Sequence, residues 1–411
     1  MLNHSQEETI SPGEFINCDI DLVMVHEQLG GRISEEYKKL GIDYVWDPKK
    51  IFFILDHWVP APSISASKMH QACRKFAEKY NFAHDMGMDK GICHQVLPEY
   101  GFSRPGMLIV GSDSHTTTYG AFNCLSTGIG ATDVSIVFAT GQLWFKVPNS
   151  YKINLKNNLN KGTMSKDFIL TLIGDLTTKG AIYKSLEFHG NGATNLSIES
   201  RMTVSNMVVE AGAMCGIFIP DEKLKKWLAN KTKKKYRFIF PDEGASYEKV
   251  IDYDLSEIIP VVATPSNPGN VVPVEKVEGI EIDQAFLGSC TNGRFEDLKI
   301  AADLLKKHNF QINSRLIITP ASKKVYEAAL KTELIKIFLD SGAIITNPTC
   351  GACIGGHLGV LGPDEVCISS TNRNFVGRMG DPTSKVYLAS PATVIASAIK
   401  GKITDPRELM D

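Results

Sequence analysis

Short apolar runs alternate with amphipathic stretches along most of this chain, and that alternation constrains the fold more than any other feature. Apolar runs of strand length separated by helical patterns are typical of α/β folds, in which a helix connects each parallel strand to the next. The sequence therefore predicts buried strands at KIFFIL (50–55), MLIVG (107–111), AFLG (285–288), RLIIT (315–319), GAIIT (342–346) and EVCISS (365–370).

Amphipathic stretches between these runs predict helices at residues 67–80, 165–176, 295–307 and 322–342. Several of them begin with Ser, which favours a helix N-terminus because its hydroxyl accepts a hydrogen bond from a free backbone N–H. The last helix is predicted to end at Gly342, since Gly readily adopts the left-handed conformation found after a helix.

The chain length predicts more than one domain. At 411 residues with 43% hydrophobic content, the chain exceeds the size at which a single core stops growing, roughly 250–300 residues. A polar stretch at 149–165 and a segment rich in Pro, Gly and Asn at 261–273 indicate breaks. We therefore expect three α/β segments, at residues 1–148, 149–266 and 267–411.

Polar residues follow five of the predicted strands. Asp56 and His57 follow the first strand, SDSHTTT follows the second, and SCTNGR, NPTCGAC and TNRNFVGR follow three others. In open parallel sheets, ligand sites form beyond the carboxyl ends of the strands. The five strand ends are therefore predicted to bring Asp, His, Ser, Cys, Asn and Arg side chains to one crevice.

The net charge, the N-terminal sequence and the lengths of the apolar runs argue against a nucleic-acid binder, a secreted protein and a membrane protein. The net charge of −2 lacks the basic excess of a nucleic-acid binder, and the basic run at 230–237 is typical of a solvated loop. The N-terminus has no secretion or transit signal, and no apolar run approaches the ~18 residues of a membrane span. Nine cysteines, an odd number without a signal peptide, indicate a reducing compartment, so the cytoplasm is the expected location.

Cys350 and Cys353 form a CxxC pair that, taken alone, fits a metal site, a redox disulfide or a structural turn. A structural zinc site would need a second matched pair, and the sequence has none. Cys290, in GSCTNGR, also lies in a polar loop after a predicted strand. Cys367 lies inside a strand, and we expect the other cysteines to be small buried hydrophobic residues: Cys18, Cys73, Cys93, Cys124 and Cys215.

Three loop thiolates suit an iron–sulfur cubane in which one iron lacks a protein ligand. Such an iron can act as a Lewis acid and polarise a hydroxyl group that must leave a substrate. A zinc-stabilised structural protein is the alternative, and metal analysis distinguishes the two.

Six motifs resemble, in order, the signatures of the aconitase superfamily: DHWVP, CHQVLPEYG, GSDSHTTTYGAF, GSCTNGRFEDL, NPTCGACIGGH and NRNFVGRMG. The resemblance spans residues 11–410 and is nearest to the large subunits of two-subunit 3-isopropylmalate dehydratases and homoaconitases. It implies an aconitase-like core of three α/β domains with parallel-rich sheets flanked by helices, lacking the swivelling fourth domain.

The resemblance implies a hydro-lyase with one 4Fe–4S cluster per subunit, held by Cys290, Cys350 and Cys353. The reaction would be dehydration and rehydration of a hydroxy di- or tricarboxylate, most closely 3-isopropylmalate to 2-isopropylmalate in leucine biosynthesis. Alternatives are homoaconitase, in a lysine or coenzyme B pathway, and a citramalate or dimethylmalate dehydratase. The stretch at 24–39 lacks the Thr/Ser-containing pattern of the family, which leaves the substrate open.

The same resemblance implies roles for polar residues at the predicted crevice. Residues that protonate the leaving hydroxyl or hold the iron-bound water would be Asp56, His57, His94, Asp113, His115 and Glu210. Residues that contact the cluster edge or the substrate carboxylates would be Asn206, Asn372, Arg373 and Arg378.

Residue chemistry agrees with these roles, although each also has a structural alternative. A carboxylate beside an imidazole orients the ring and raises its basicity, so Asp56 and His57 suit proton donation, or else are a capping Asp and a packed His. Asn206 and Glu210 would share one face of a helix, either at the crevice or on a solvated edge. The two arginines suit forked hydrogen bonds to carboxylates, or else structural ion pairs.

Other histidines lack comparable settings, and we expect them to be packed or at the surface: His26, His70, His84, His189, His308 and His357. His357 closely follows the CxxC loop and is also a candidate to support it.

The resemblance further implies a partner. In the family the base that removes the carbon-bound proton is a serine on the swivelling domain, and nothing after residue 400 could form that domain. We therefore expect a small subunit of under ~200 residues that carries the serine and the specificity loop. A different class, an RNA-binding regulator, is opposed by the lack of a basic stripe, and neither nucleic acid nor membrane is an expected partner.

Overall fold

The computed structural model describes residues 1–87 and 90–410. Within these residues the chain forms three sheets of four, five and seven strands and a two-stranded ribbon. Helices flank the sheets and most strand pairs are parallel, so the predicted α/β class is confirmed. The described helices are too short or too polar to cross a membrane.

The first sheet has five strands, all parallel. The strands of this part of the chain are β1 (Phe15–Asp19), β2 (Leu22–His26), β3 (Ile51–Ile54), β4 (Asp85–Met86), β5 (Leu108–Gly111), β6 (Leu125–Gly128) and β7 (Gln142–Lys146). The sheet order is β4-β3-β2-β5-β6, while β1 and β7 form the antiparallel ribbon. The central strands β2, β3 and β5 are buried at every position, because helices cover both faces.

Four helices and one long 3-10 helix pack on the first sheet. They are α1 (Glu27–Lys39), α2 (Ile64–Lys79), α3 (Cys93–Glu99), the 3-10 helix Ser114–Phe122 and α4 (Ala131–Thr140). Asp113 caps the 3-10 helix, since its carboxylate accepts the N–H of His115 at 2.6 Å.

The second sheet has four parallel strands in the order β10-β9-β8-β11. They are β8 (Ser150–Lys156), β9 (Ser185–His189), β10 (Cys215–Phe218) and β11 (Lys249–Asp254). The associated helices are α5 (Ser165–Leu176), α6 (Gly190–Asn195), α7 (Ile198–Met207), the 3-10 helix Val208–Ala211, α8 (Glu222–Ala229) and the 3-10 helix Leu255–Glu257.

The third sheet has seven strands and is parallel except around β12. Its strands are β12 (Val261–Ala263), β13 (Val271–Pro273), β14 (Gln284–Leu287), β15 (Arg315–Ile318), β16 (Ile344–Ile345), β17 (Val366–Ser369) and β18 (Lys385–Leu388), in the order β13-β12-β18-β17-β14-β15-β16. The helices are α9 (Phe295–Lys307), α10 (Lys323–Lys331), α11 (Leu334–Asp340) and α12 (Pro391–Lys400). Short 3-10 helices cover Leu2–His4, Val274–Lys276, Gly351–Ile354 and Pro406–Leu409.

One hydrophobic core is shared between the second and third sheets. Phe168 and Phe188 of the second sheet region belong to the same buried cluster as Phe286 and Leu388 of the third. Strand β12 lies in the third sheet, although the predicted segment 149–266 includes it. The segment boundaries at 148/149 and 266/267 stay predictions.

The predicted helices differ from the observed ones mainly at one place. The helices predicted at 165–176 and 295–307 have the observed bounds. The single helix predicted at 322–342 is wrong, because Glu333 adopts a left-handed φ of 62° and divides α10 from α11. Ser322 caps α10 as expected, whereas α2 begins three residues early and is capped by Ser63.

Candidate functional site

A cavity of about 430 Å³ lies where strand ends of the first and third sheets meet. The first sheet contributes residues after β2, β3 and β5, and the third contributes residues after β14, β16 and β17. All five strand ends predicted to converge do so. The lining includes His57, His94, Asp113, His115, Cys290, Cys350, Cys353, Asn372, Arg373 and Arg378, and Asp56, Asn206 and Glu210 form hydrogen bonds to lining residues.

The CxxC pair lies on a tight turn that requires its glycines. Cys350 precedes a 3-10 helix of four residues, and Gly355 ends it with a φ of 66°. A Cβ at Gly351, whose φ is 61°, would lie 2.8 Å from the Phe286 ring. The local sequence therefore directs both cysteines to the cavity without forming the longer helix that a disulfide redox motif would open.

The three candidate cluster cysteines are buried free thiols, and two asparagines contact Cys290 and Cys353. Asn206 and Asn372 each donate an Nδ2–H to Cys290 Sγ at 3.3 Å. Cys353 Sγ donates to Asn372 Oδ1 at 3.5 Å, so one amide contacts two of the three sulfurs. Cys350 is held by its backbone, whose N–H donates to the Asp56 carbonyl at 3.0 Å.

This donor set fits an iron–sulfur cluster better than a single zinc ion. Among the described residues, the compact groups of possible metal ligands are Asp56, His57 and Cys350, and His26, Glu27 and His57, and the three cysteines are not such a group. Zn–S bonds of about 2.3 Å would hold three sulfurs roughly 3.8 Å apart. Burial raises the pKa of Cys290 well above its ordinary value and that of Cys350 to about 12, so thiolates here need a cationic centre. Buried Arg378 Nε finds no hydrogen-bond partner among the described residues, which also indicates space for a further group.

Asp56 and His57 form a buried pair held by a second acidic residue, Glu27. His57 Nδ1 lies 2.7 Å from Asp56 Oδ1, and Asp56 Oδ2 accepts the N–H of Cys93 at 2.7 Å. Glu27 accepts the backbone N–H groups of His57 and Trp58, both at 2.7 Å. This arrangement places His57 Nε2 3.4 Å from Asp113 at the cavity. Cys93 is the first residue of α3, so Asp56 also caps that helix, and its two expected settings occur together.

His57 is held in its charged form. Burial would lower the pKa of His57, but Cys350 and the carboxylates of Asp56 and Asp113 outweigh burial and raise the pKa well above its ordinary value. A charged imidazolium at the cavity wall can donate a proton to a departing hydroxide.

Asp113 joins the histidines of the first sheet. Its carboxylate lies 3.1 Å from His94 Nε2 and 3.4 Å from His57 Nε2. Burial would raise the pKa of Asp113, but hydrogen bonds from His115, His57 and His94 hold the pKa well below its ordinary value. The other ring nitrogen of His94 lies 3.2 Å from Tyr119 Oη, so this ring is fixed at both ends.

Glu210 and Asn206 are buried, which excludes the solvated helix edge as their setting. Helix α7 ends at Met207, so Asn206 lies on an α-helix and Glu210 on the following 3-10 helix. Glu210 Oε1 lies 2.9 Å from His115 Nε2 and accepts Arg373 Nε–H at 2.7 Å. Burial would raise the pKa of Glu210, but His115 and Arg373 lower it, so the carboxylate stays ionised.

The two predicted arginines follow Asn372 in the chain and line the cavity with it. Arg373 forms the ion pair with Glu210, and its side chain is 21% exposed, so part of its guanidinium faces the cavity. Burial would lower the pKa of Arg378, but the nearby sulfurs of Cys353 and Cys350 outweigh burial and raise it. Both cations therefore border the space where an acidic ligand would lie.

Sequence reasoning missed the site residues that follow β2. His26, expected to be packed or at the surface, lines the cavity with its ring 4.4 Å from that of His57. Glu27, Gln28 and Leu29 follow it, and the latter two line the cavity from the atypical stretch 24–39. The short apolar run LVMV before His26 could have indicated a further strand, and its end is the sixth strand end at the cavity.

Two buried cations were also missed. Arg294 donates to the Cys290 carbonyl at 2.8 Å, and Lys166 donates to the Ser370 carbonyl at 2.8 Å. Both contact the backbone of loops that carry Cys290 or Asn372, and neither lines the cavity. His357 is buried, as expected, and its Nε2 lies 2.9 Å from the Pro60 carbonyl, while a role in supporting the CxxC loop stays a prediction.

Comparison with known proteins gives a consistent family. The model of the aconitase family (aconitate hydratase) matches residues 2–279 and 274–401. The chain is 45% identical over 407 residues to 3-isopropylmalate dehydratase large subunit 1 of Methanopyrus kandleri, covering 99% of this chain and 97% of that relative. It is also 45% identical over 403 residues to the probable methanogen homoaconitase large subunit of Methanothermobacter thermautotrophicus, covering 97% of this chain and 94% of that relative.

A solved structure supports the fold alone. The crystal structure of Thermococcus kodakaraensis aconitase X in its holo-form matches with a TM-score of 0.52 at 12% identity. The match covers 87% of this chain and 84% of that chain.

Proposed function

This chain belongs to the aconitase family, and we propose that it is the large, cluster-bearing subunit of a hydro-lyase that isomerises a hydroxy di- or tricarboxylate by dehydration and rehydration. The favoured reaction interconverts 3-isopropylmalate and 2-isopropylmalate, the activity in the names of several relatives at 43–46% identity. The observation that carries the proposal is the meeting of three free thiols and a charged His–carboxylate network at one buried cavity.

Cys290, Cys350 and Cys353 are the proposed ligands of a 4Fe–4S cluster. When bound, such a cluster with three protein thiolates supplies an iron with an open position, which acts as a Lewis acid on the leaving hydroxyl. Asn206 and Asn372 are positioned to donate hydrogen bonds to a Cys290 thiolate, which would favour its charged form.

His57 is the proposed proton donor to the departing hydroxide. Its charged ring faces the cavity, and Asp56 fixes the other nitrogen. In the reverse direction the neutral ring takes the proton back from the water that adds to the alkene. Glu27 holds the backbone of both residues and is a positioning residue for this pair.

His94, Asp113, His115 and Glu210 are proposed to hold the water and hydroxyl at the cavity wall. Asp113 and Glu210 stay ionised, so they accept hydrogen bonds, and the histidines donate to them or to a ligand oxygen. Arg373 and Arg378 would bind substrate carboxylates, because forked guanidinium contacts suit planar acidic groups.

A small partner subunit is proposed to complete the enzyme. The relatives are named large subunits, and the described residues at the cavity include no serine paired with arginines that could act as the carbon base. The partner would supply that serine and the loop that selects the substrate side chain. The nine free cysteines agree with assembly in the cytoplasm.

The homoaconitase reaction is the second candidate, since a relative with that name is 45% identical. Anaerobically purified chain, alone and with the small subunit from the same organism, should be assayed on isopropylmalate, homocitrate, citramalate and dimethylmalate. We expect turnover of isopropylmalate only when both subunits are present. Full turnover by this chain alone would refute the partner, and preference for homocitrate would favour the second candidate.

A further inference from the structure

Lys166, at the start of α5, is a fully buried cation near the candidate cluster. Its ammonium donates to the backbone carbonyls of Ser370 at 2.8 Å and Thr371 at 2.6 Å. These carbonyls follow the end of β17, directly before Asn372. The charge is therefore hydrogen-bonded by the same backbone segment that delivers Asn372 to two of the sulfurs.

No carboxylate in the described part of the chain forms an ion pair with Lys166. The carboxylate of neighbouring Asp167 accepts the N–H of Met164 at 2.8 Å and of Val261 at 3.1 Å instead. A buried charge without an opposite charge in contact is costly, and natural proteins seldom keep one without a counter-charge nearby.

The thiolates are the opposite charges that act most strongly on this ammonium. Burial lowers the pKa of Lys166 to about 7, and the largest opposing influences are Cys290 and then Cys353. Lys166 donates to the carbonyls of Ser370 and Thr371, and Asn372, the next residue, contacts the sulfurs of Cys290 and Cys353. When the cysteines are ionised, as metal ligands must be, the ammonium gains the counter-charge that it otherwise lacks.

We propose that Lys166 is a positioning residue for the cluster, whose buried charge balances the Cys290 and Cys353 thiolates and whose hydrogen bonds fix the strand end carrying Asn372. This inference rests on the proposed function, since it needs a cluster on these cysteines. A positive charge close to a cluster stabilises the electron-rich form, so it raises the reduction potential and slows loss of the cluster.

The test compares neutral and charged replacements in the anaerobic complex with the small subunit. For Lys166→Met and Lys166→Gln we expect a reduction potential more negative than that of the unaltered protein, followed by electron paramagnetic resonance during dithionite titration. Loss of the cluster to a chelator should be roughly tenfold faster, as expected for removal of one nearby charge. Arg201→Met is the matched control, because Arg201 is buried but pairs with Asp221, and it should lower thermal stability without changing the potential.

Lys166→Arg separates charge from packing. The larger side chain disturbs this fully buried position more than Gln does, yet it keeps the charge. We expect its potential to stay near that of the unaltered protein and above that of Lys166→Gln, and this comparison holds even if Lys166→Met fails to fold.

Two outcomes would contradict the inference about Lys166, and a third would contradict the proposed function itself. Unchanged potential and unchanged cluster loss in Lys166→Gln would show a packing role only. A lower potential in Lys166→Arg than in Lys166→Gln would contradict a charge effect. If the unaltered protein takes up no iron at all, the proposed function fails first, and the inference fails with it.

Discussion

His57 carries a proton because neighbouring acidic groups outweigh the cost of burying its charge. The same logic applies in reverse to Asp113, which three histidines hold in its ionised form. His57 Nε2 and the Asp113 carboxylate lie 3.4 Å apart, and each stabilises the charged form of the other. Such opposite shifts assign His57 as the protonated member of the pair and Asp113 as the ionised acceptor.

Replacing His57 by Gln tests the proposed proton donor. We expect kcat of the two-subunit complex to fall by roughly 10²–10⁴-fold, the usual contribution of general acid–base catalysis. Iron content should be unchanged, since His57 is not a proposed ligand. His189→Gln, at a partly exposed site beside Tyr247, is the control and should keep its rate. A His57→Gln complex with ordinary kcat would exclude this role.

Because the pKa of Glu27 is lowered, the free energy of unfolding of the cluster-free chain should depend on pH in the acidic range. Burial would raise the pKa of Glu27, but His70 and then His57 and His26 lower it from 4.5 to about 2. A lowered pKa contributes stability above about pH 4.5, and that contribution is lost as the pH falls towards 2. Its size is on the order of 3 kcal/mol.

Glu27→Gln should remove this dependence. Urea unfolding between pH 7 and pH 3.5 should show a smaller decline in the free energy of unfolding for the variant, with the two curves approaching each other below pH 4.5. Exposed Glu8→Gln should change the free energy by under about 0.5 kcal/mol throughout. Parallel curves for Glu27→Gln and the unaltered chain would contradict the account.

At the scale of secondary-structure elements, Arg294 connects three of them. It precedes α9, and its guanidinium donates to the Cys290 carbonyl, to Thr203 Oγ1 of α7 at 3.2 Å and to Gln95 Oε1 of α3 at 3.2 Å. Helix α3 carries His94 and α7 carries Asn206. One buried side chain thus holds the relative positions of a cluster loop and two helices that bring polar groups to the cavity.

Arg294→Met should lower the free energy of unfolding of the cluster-free chain by about 3 kcal/mol, because several buried acceptors lose their donor. It should also reduce the iron bound after reconstitution. Arg315→Met is the control, since Arg315 is 47% exposed in a surface pair with Glu365 and should cost under about 1 kcal/mol. If both substitutions lowered the free energy of unfolding and the bound iron equally, Arg294 would have no special role in holding these elements.

The elements show where sequence reasoning succeeds and where it cannot. Helices α5 and α9 have amphipathic repeats that agree with their packing, so their bounds could be predicted. The break at Glu333 carries no Gly or Pro, so periodicity alone continues the helix through it. Strand β2 ends at His26 and α1 begins at Glu27, with no turn residue between them. The sequence therefore gives no signal that a strand ends here, and the positions of His26 and Glu27 at the cavity could not be predicted.

Cavity residues could be predicted from the sequence where a strand end carries a residue such as Cys. They could not be predicted where tertiary packing alone determines which residues contact the site. Cys350 and Cys290 could be identified as strand-end cysteines. The partners of Lys166 and Arg294 are backbone carbonyls, which every residue has, so no side-chain pattern marks these contacts.

At the scale of the whole molecule, the site is also the junction of two sheets. The Asp56 carbonyl, after β3, accepts the Cys350 N–H at 3.0 Å and the Thr349 hydroxyl at 2.8 Å. Asn347 donates to the Val59 carbonyl at 2.6 Å in the same region. The Asp56–His57 pair, the proposed proton donor, and the CxxC loop are therefore in direct contact, although they are nearly 300 residues apart in the chain.

The most direct test of the central claim is Mössbauer spectroscopy of the anaerobically reconstituted, ⁵⁷Fe-labelled chain. We predict about four irons and four sulfides per chain, with one iron distinct from the other three because it lacks a cysteine ligand. Added hydroxyacid should shift the signal of that iron alone. Four equivalent irons, or zinc in place of iron, would contradict a cluster with an open position on Cys290, Cys350 and Cys353.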